Sequence, residues 1–384
     1  MFLNLSEEEQ LFCDAVEGTI KRVAPVEHVQ KLDNAKKFDF ELHKALAELG
    51  VWGIGIEEDF GGAGGTPKLQ VLTLEALGRM ATSMAVFGVV QFMATRLLRQ
   101  YGTPQQQDKY LAKLCAGEIK ASFCLTEESG GTDILQAMRT KAKRVDEGWR
   151  LTGGKYWISG AIHADLLIVL ARTSDHRSRG VTMFLVDKTA PGVSATEINT
   201  FAINSYDTCS VAFDDVSLAE TAVLGEVDQG FIQVLNTLNS ERLNAAAVAT
   251  GIGRGAQQLA VEYAKDRKAF GRPIGQFQAL QHRLVHTGVA LEQAWLTTQM
   301  AAIVEEQGHA NIEIPSAIAK LAASKAANDA VRVGMEAMGG AGFDLEYPMQ
   351  RYYRDIRLYS FAPLTDDMLA NLLGERWLEL PRSF

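Results

Sequence analysis

Two glycine-rich stretches could cradle a phosphate. Gly251–Ala256 reads GIGRGA, close to a dinucleotide fingerprint, and Asp59–Gly65 reads DFGGAGG. A fingerprint loop works where a strand turns into a helix, because the phosphate sits on the helix N-terminus. The residues before Gly251 are NAAAVAT, a helical run, so these glycines read as close helix packing instead. DFGGAGG has no lysine directly after its last glycine and reads as a turn. His282 and His286 are four apart on a helix, a spacing that suits a metal. They have no acidic or cysteine partner beside them in sequence and read as solvated or packed side chains; no metal is expected. Cys13, Cys115, Cys124 and Cys209 are scattered without a CxxC pair, against a zinc ribbon or a disulfide scaffold. No GxSxG nucleophile elbow occurs.

A more specific signal is a set of segments in a fixed order. CLTEESGGTD covers Cys124–Asp133, and KYWISG covers Lys155–Gly160. NSERLNAAA follows with Glu241-Arg242, then DRKAFGRPIGQFQALQ over Asp266–Gln281. MGGAGF covers Met338–Phe343, ahead of YYRDIR and FAPLTDD. Any one of these alone reads as a turn, a strand or a solvated helix face.

The elements that carry them alternate in kind. Up to about residue 118 the apolar spacing is helical: LSEEEQLFCDAVEGTIKRVAP with a Ser6 cap, FDFELHKALAELG, one or two long helices in LQVLTLEALGRMATSMAVFGVVQFMATRLLRQYG, then PQQQDKYLAKLCAGE. From about 120 to 226 the runs shorten and turn β-branched, as in GWRLTGGKYWISG, DLLIVLART, GVTMFLVDKT, GVSATEI and CSVAFDDVSL. Helical spacing returns over 231–265, 277–307, 314–338 and 366–379. The expected fold class is α+β with three domains: helical at 1–119, β-rich at 120–226 and helical at 227–384.

Composition narrows the function classes. Of 384 residues, 47% are hydrophobic and 22% charged, in the globular range. The net charge is 38 − 47 = −9, with no basic block, which argues against nucleic-acid binding. The longest apolar run, near Met84–Ala94, is shorter than a membrane span. The acidic N-terminus lacks signal- and transit-peptide patterns, so a cytoplasmic location is expected.

Taken together, the ordered segments resemble the acyl-CoA dehydrogenase family over essentially the whole chain. The EEDFGGAG loop and the AFDDVSL…LGE stretch also fit. The resemblance implies a helical domain, a β-barrel-like middle domain and a C-terminal four-helix bundle. It further implies FAD bound between the β domain and the bundle and completed by a neighbouring subunit, in a homotetramer built as a dimer of dimers. The implied reaction is α,β-dehydrogenation of an acyl-CoA, as in fatty acid metabolism, with electrons passed to an electron-transferring flavoprotein.

Residue by residue, the resemblance places Thr126 at the flavin ring, with Phe123 and Leu125 as backbone contacts beside it. Trp157 covers the flavin and Ser159 stands near its N5. Arg267, Phe270 and Gln278 reach the FAD of the partner subunit. Gly340, Thr365 and Asp367 are further cofactor positions. Thr132, Asn239 and Arg242 fall at positions that bind the CoA part of the substrate. Removal of a proton α to a thioester needs a carboxylate. Most of the family carries it in an EGT motif, a position occupied here by Pro363. A smaller branch, resembling isovaleryl-CoA and long-chain-type dehydrogenases and crotonobetainyl-CoA reductase, carries it on a bundle helix before an arginine; Glu241 is that candidate base. Two other functions are compatible with the same segments: a flavin-dependent monooxygenase or oxidase, and a non-catalytic acyl-CoA-binding protein.

Overall fold

The computed structural model describes residues 5–176, 179–308 and 312–382. Ser6 opens α1 (Glu7–Val23) with a capping box: its hydroxyl accepts from the Glu9 N–H, and the Glu9 carboxylate accepts from the Ser6 N–H. Then follow α2 (Val26–Ala35), α3 (Phe40–Glu48), α4 (Pro67–Met80), α5 (Thr82–Tyr101) and the short α6 (Pro104–Gln106) and α7 (Ala112–Cys115). The α2 helix is absent from the sequence-based expectation. It buries Gln30 and Asp33 beside Val29, so its inner face does not register as an apolar stripe.

The β-rich part comprises β1 (Ala121–Cys124), β2 (Lys141–Val145), β3 (Gly148–Ser159), β4 (Leu166–Arg172), β5 (Val181–Asp187), β6 (Val193–Glu197), β7 (Thr208–Leu218) and β8 (Val223–Leu224). One helical turn, α8 (Ile134–Ala137), interrupts it. The sheet order is β6-β7-β3-β2-β4-β5-β8, with β1 parallel to β4. The strand β4 is apolar at nearly every position because both faces are covered. Leu166, Ile168 and Leu170 join the cluster shared with α5, while Leu167, Val169 and Ala171 join the core on the other face.

The last part is α9 (Gly230–Asp266), the hairpin β9 (Lys268–Ala269) and β10 (Arg272–Pro273), α10 (Gln278–Glu306), α11 (Glu313–Met338), α12 (Gly340–Phe343), α13 (Met349–Asp355) and α14 (Asp366–Arg376). The GIGRGA glycines lie inside α9, where they let other helices approach. A Cβ at Gly251 meets the Glu75 carbonyl oxygen of α4 at 2.2 Å, and one at Gly255 meets the Tyr352 hydroxyl at 2.7 Å. Gly78 of α4 is reciprocally tight against the Val248 carbonyl oxygen, at 2.5 Å. These contacts merge the first and last helical parts into one hydrophobic core. No helix among the described residues is long and apolar enough to cross a membrane.

Candidate active site

The chain leaves β1 at Cys124 and turns through Leu125-Thr126-Glu127 beside β3. Two bonds from β3 fix this turn: the Tyr156 N–H donates to the Thr126 carbonyl (2.9 Å), and the Lys155 ammonium donates to the Leu125 carbonyl (3.0 Å). Both carbonyls are thereby used. Among the described residues, the Leu125 and Thr126 N–H groups and the Thr126 hydroxyl have no partner. Phe123, Leu125 and Thr126 are all partly exposed. The pairing of β3 with β7 slips between Lys155 and Ile158, a bulge that takes Trp157 out of the ladder. Trp157 has φ 62° and an indole 55% exposed, while Ser159 nearby keeps its hydroxyl free of described partners. A tryptophan held out of the core beside unpaired donors forms a platform for a flat, acceptor-bearing ligand, and in this the residues fit a flavin.

Glu241 lies at the start of the fourth turn of α9. Its carboxylate makes no hydrogen bond or ion pair to a described residue. Burial pushes its pKa up to about 7 against the opposing charge of Arg242, yet the residue keeps part of its surface open. A desolvated acid with residual access is what a cleft-lining base requires. Burial pulls the Arg242 pKa down, opposed by Glu313 and Glu241. Its guanidinium donates to Asn239 Oδ1 at 2.8 Å, so Asn239 and Arg242 form one polar unit. On the other side, Ser240 and Glu305 meet the Arg96 guanidinium of α5 and pin this stretch of α9.

Two contacts place this stretch of α9 against the rest of the chain. Leu238 and Val234 of α9 pack in the same cluster as Phe123, Leu125 and Met93. The 356–360 segment lies against α9: the Tyr359 pKa is raised by burial, then by Asp355 and Glu241. Four residues beyond that segment, the Lys320 ammonium holds the Leu364 carbonyl (2.9 Å) and, two further on, Asp366 Oδ1 (2.7 Å), and the Ser324 hydroxyl donates to Asp366 Oδ2 (2.8 Å). Thr365 caps α14, accepting from the Met368 N–H. Asp367 and Thr132 are exposed; of the two acids at the start of α14, Asp366 is the one tied into the chain.

The remaining expected cofactor residues lie elsewhere. Arg267 is 26 positions beyond Glu241, just past the end of α9, which places the two roughly 39 Å apart along the helix axis. The Arg267 guanidinium has no described partner, and Gln278 is exposed at the start of α10. The β9–β10 hairpin turns through Phe270 and Gly271, both at positive φ, and leaves the Phe270 ring 95% exposed. Gly340 follows the far end of α11, where Glu336 pairs with Arg283 and Arg332. Arg267, and with it the hairpin that carries Phe270, therefore stands toward the opposite end of α9 from Glu241.

Lys155, Glu127, Tyr359 and Lys320 were not singled out from the sequence. Two of them had a signal. Lys155 is a lysine on a strand between inward positions, and Lys320 stands in the small-residue face Ala317, Lys320, Ser324, Ala327 of α11.

The sequence matches the acyl-CoA dehydrogenase N-terminal domain over residues 6–118, the middle domain over 122–216 and the C-terminal domain over 228–378. It is 33% identical over 374 residues to the mitochondrial short/branched chain specific acyl-CoA dehydrogenase of Bos taurus, spanning 96% of this chain and 85% of that one. Glutaryl-coenzyme A dehydrogenase in complex with glutaryl-CoA superposes with a TM-score of 0.95 at 28% identity, covering 100% of this chain and 98% of that one. The FAD complex of PigA superposes with a TM-score of 0.92 at 26% identity, covering 99% of this chain and 100% of that one. Matched in all three parts by sequence and throughout by fold, the chain belongs to the acyl-CoA dehydrogenase family of FAD-dependent oxidoreductases.

Proposed function

We propose that this enzyme oxidises an acyl-CoA to its α,β-enoyl thioester with Glu241 as the base that takes the α-proton. The observation that carries the assignment is the Glu241 carboxylate: desolvated, without a hydrogen bond to a described residue, and on the stretch of α9 whose Val234 and Leu238 join the cluster of Phe123 and Leu125. FAD, when bound, supplies the acceptor for the hydride that leaves the β-carbon. Thr126, with the Phe123–Leu125 backbone, and Ser159 orient the flavin, and Trp157 shields it from water. Asn239 and Arg242 position the thioester end of the substrate, with Thr132 further along the CoA. Thr365, with Asp367, lines the nucleotide side.

The Pro363 position offers neither a carboxylate nor an N–H. The adjacent Leu364 N–H has no described partner, and Lys320 fixes the carbonyl of the same residue. Leu364 is thus the donor available to polarise a thioester carbonyl there. The separation of Arg267, Phe270, Gln278 and Gly340 from the Glu241 end supports their use on a neighbouring subunit's FAD, and so a homotetramer of paired dimers. Electrons then leave to an electron-transferring flavoprotein, in the cytoplasm.

The test is anaerobic mixing of the FAD-loaded enzyme with short, branched and dicarboxylic acyl-CoAs, the kinds named for its relatives, while following flavin bleaching. Bleaching by at least one, lost in Glu241→Gln with FAD retained, is expected. Equal bleaching by the variant overturns the base assignment.

A further inference from the structure

The Lys155 side chain is fully enclosed. Its ammonium meets Glu127 Oε1 at 2.8 Å and the Leu125 carbonyl at 3.0 Å. The Glu127 carboxylate also accepts from the Arg139 N–H (2.6 Å) and the Thr140 N–H (3.0 Å). Stability alone is a weak reason for such a pair, because well-packed apolar residues often hold a fold equally well. Its position suggests another role. The Leu125 carbonyl and the Thr126 N–H are the two ends of one peptide group. A cation at the carbonyl end polarises that group and makes the N–H at the other end a stronger donor. That N–H has no described partner. The Glu127 charge is partly answered by two backbone N–H groups, so the ammonium is the dominant charge on the Leu125 carbonyl.

We propose that the buried Lys155–Glu127 pair sets the electron affinity of the bound flavin, acting through the Leu125–Thr126 peptide. This rests on the FAD reading of that turn. A flavin that accepts a hydride takes up two electrons and one proton and gains one negative charge. A donor strengthened by Lys155 favours that charged form over the oxidised one. The 2.8 Å contact is a salt bridge whose carboxylate is held further by two backbone N–H donors. Burial pulls the Lys155 pKa below the ordinary ammonium value against the pull of Glu127. For Glu127, burial raises the pKa, but the Lys155 charge and the hydrogen bonds bring it below the usual carboxylate range. Lys155 and Glu127 are positioning residues: neither is placed against the substrate.

The experiment is an anaerobic dye-linked titration of the flavin midpoint potential in the wild-type holoenzyme, Lys155→Gln and Glu127→Gln, with the FAD dissociation constant measured beside it. Lys155→Gln keeps a donor to Leu125 and removes the charge. It is expected to shift the equilibrium toward oxidised flavin at least tenfold, about 30 mV more negative for a two-electron couple. Glu127→Gln keeps an acceptor and leaves Lys155 unbalanced, so its potential is expected to rise by a similar amount. Opposite signs cannot come from general loosening, which weakens FAD binding and moves both variants alike. Shifts of the same sign, or no shift beyond threefold with FAD retained, overturn the proposal. If a single variant does not fold, the paired Lys155→Met/Glu127→Met protein replaces it: a lower potential supports the proposal, and an unmoved one overturns it. A wild-type chain that binds no FAD instead overturns the reading on which the proposal rests.

Discussion

At the scale of residues, Glu241 links environment to chemistry. A base works when deprotonated, and burial places its pKa at about 7. Flavin reduction by an acyl-CoA is therefore expected to rise with pH through about 7 and level off above it, read from single-turnover rates across pH. Glu241→Gln is expected to lose about 10²–10⁴ in that rate and its pH dependence with it. The same shift has a sign for stability. A carboxyl whose pKa is raised in the fold binds its proton more tightly folded than unfolded, so stability falls as pH rises from 4.5 to about 7. Glu241→Gln is expected to melt above the wild type on the alkaline side of that window and level with it on the acid side. Equal melting temperatures throughout contradict the raised pKa. The Glu241-Arg242 pair stood out in the sequence only through its resemblance to a family branch that carries a glutamate before an arginine on a bundle helix. The Lys155–Glu127 pair was not: its members are 28 positions apart, and only the bulge in β3 and the turn after β1 bring them together.

At the scale of elements, helices and strands were legible wherever burial follows one period. The mixed face of α2 defeats that rule, since Gln30 and Asp33 are buried to meet Arg351 and Arg354 of the last helical part. Such partners lie 321 positions away and leave no local trace. The glycines of α9 carry the opposite lesson, because a stretch resembling a phosphate loop serves helix packing. With the α4 backbone 2.2 Å from where an alanine methyl would stand, Gly251→Ala is expected to lower stability by about 1–3 kcal/mol through overpacking. Gly18, exposed in α1 with nothing within 4 Å of the equivalent point, gives the control. Gly18→Ala is expected to raise stability by about 0.5–1 kcal/mol, since alanine orders more cheaply in a helix. Urea unfolding of the two variants checks both signs.

At the scale of the whole molecule, the three parts are tied at one junction. Arg354 of α13 pairs with Asp33 of α2 (2.6 Å) and donates to the Phe201 carbonyl (2.8 Å), while the neighbouring Asp355 accepts from the Ile203 N–H (2.8 Å). Assembly is a separate matter, read at the far end of α9. There an apolar groove of about 680 Å³ is lined by Val261, Ala264, Leu284, Val285 and Val289, and the nearby hairpin exposes Phe270. Arg267→Ala is expected to weaken FAD retention and subunit association together, since a cofactor bound across subunits stabilises the assembled state. Sedimentation velocity with and without added FAD distinguishes this from loss of either one alone; unchanged FAD affinity in a dissociated chain contradicts it. The helix α9 runs from Glu241, the proposed base, to Arg267, proposed to reach a neighbouring subunit's FAD, with no loop between them. One added residue anywhere between Glu241 and Arg267 turns everything beyond it by about 100°, and even a nearly whole turn of four displaces it by about 6 Å. In this stretch the number of residues matters as much as their identity, because length alone sets how the two ends face.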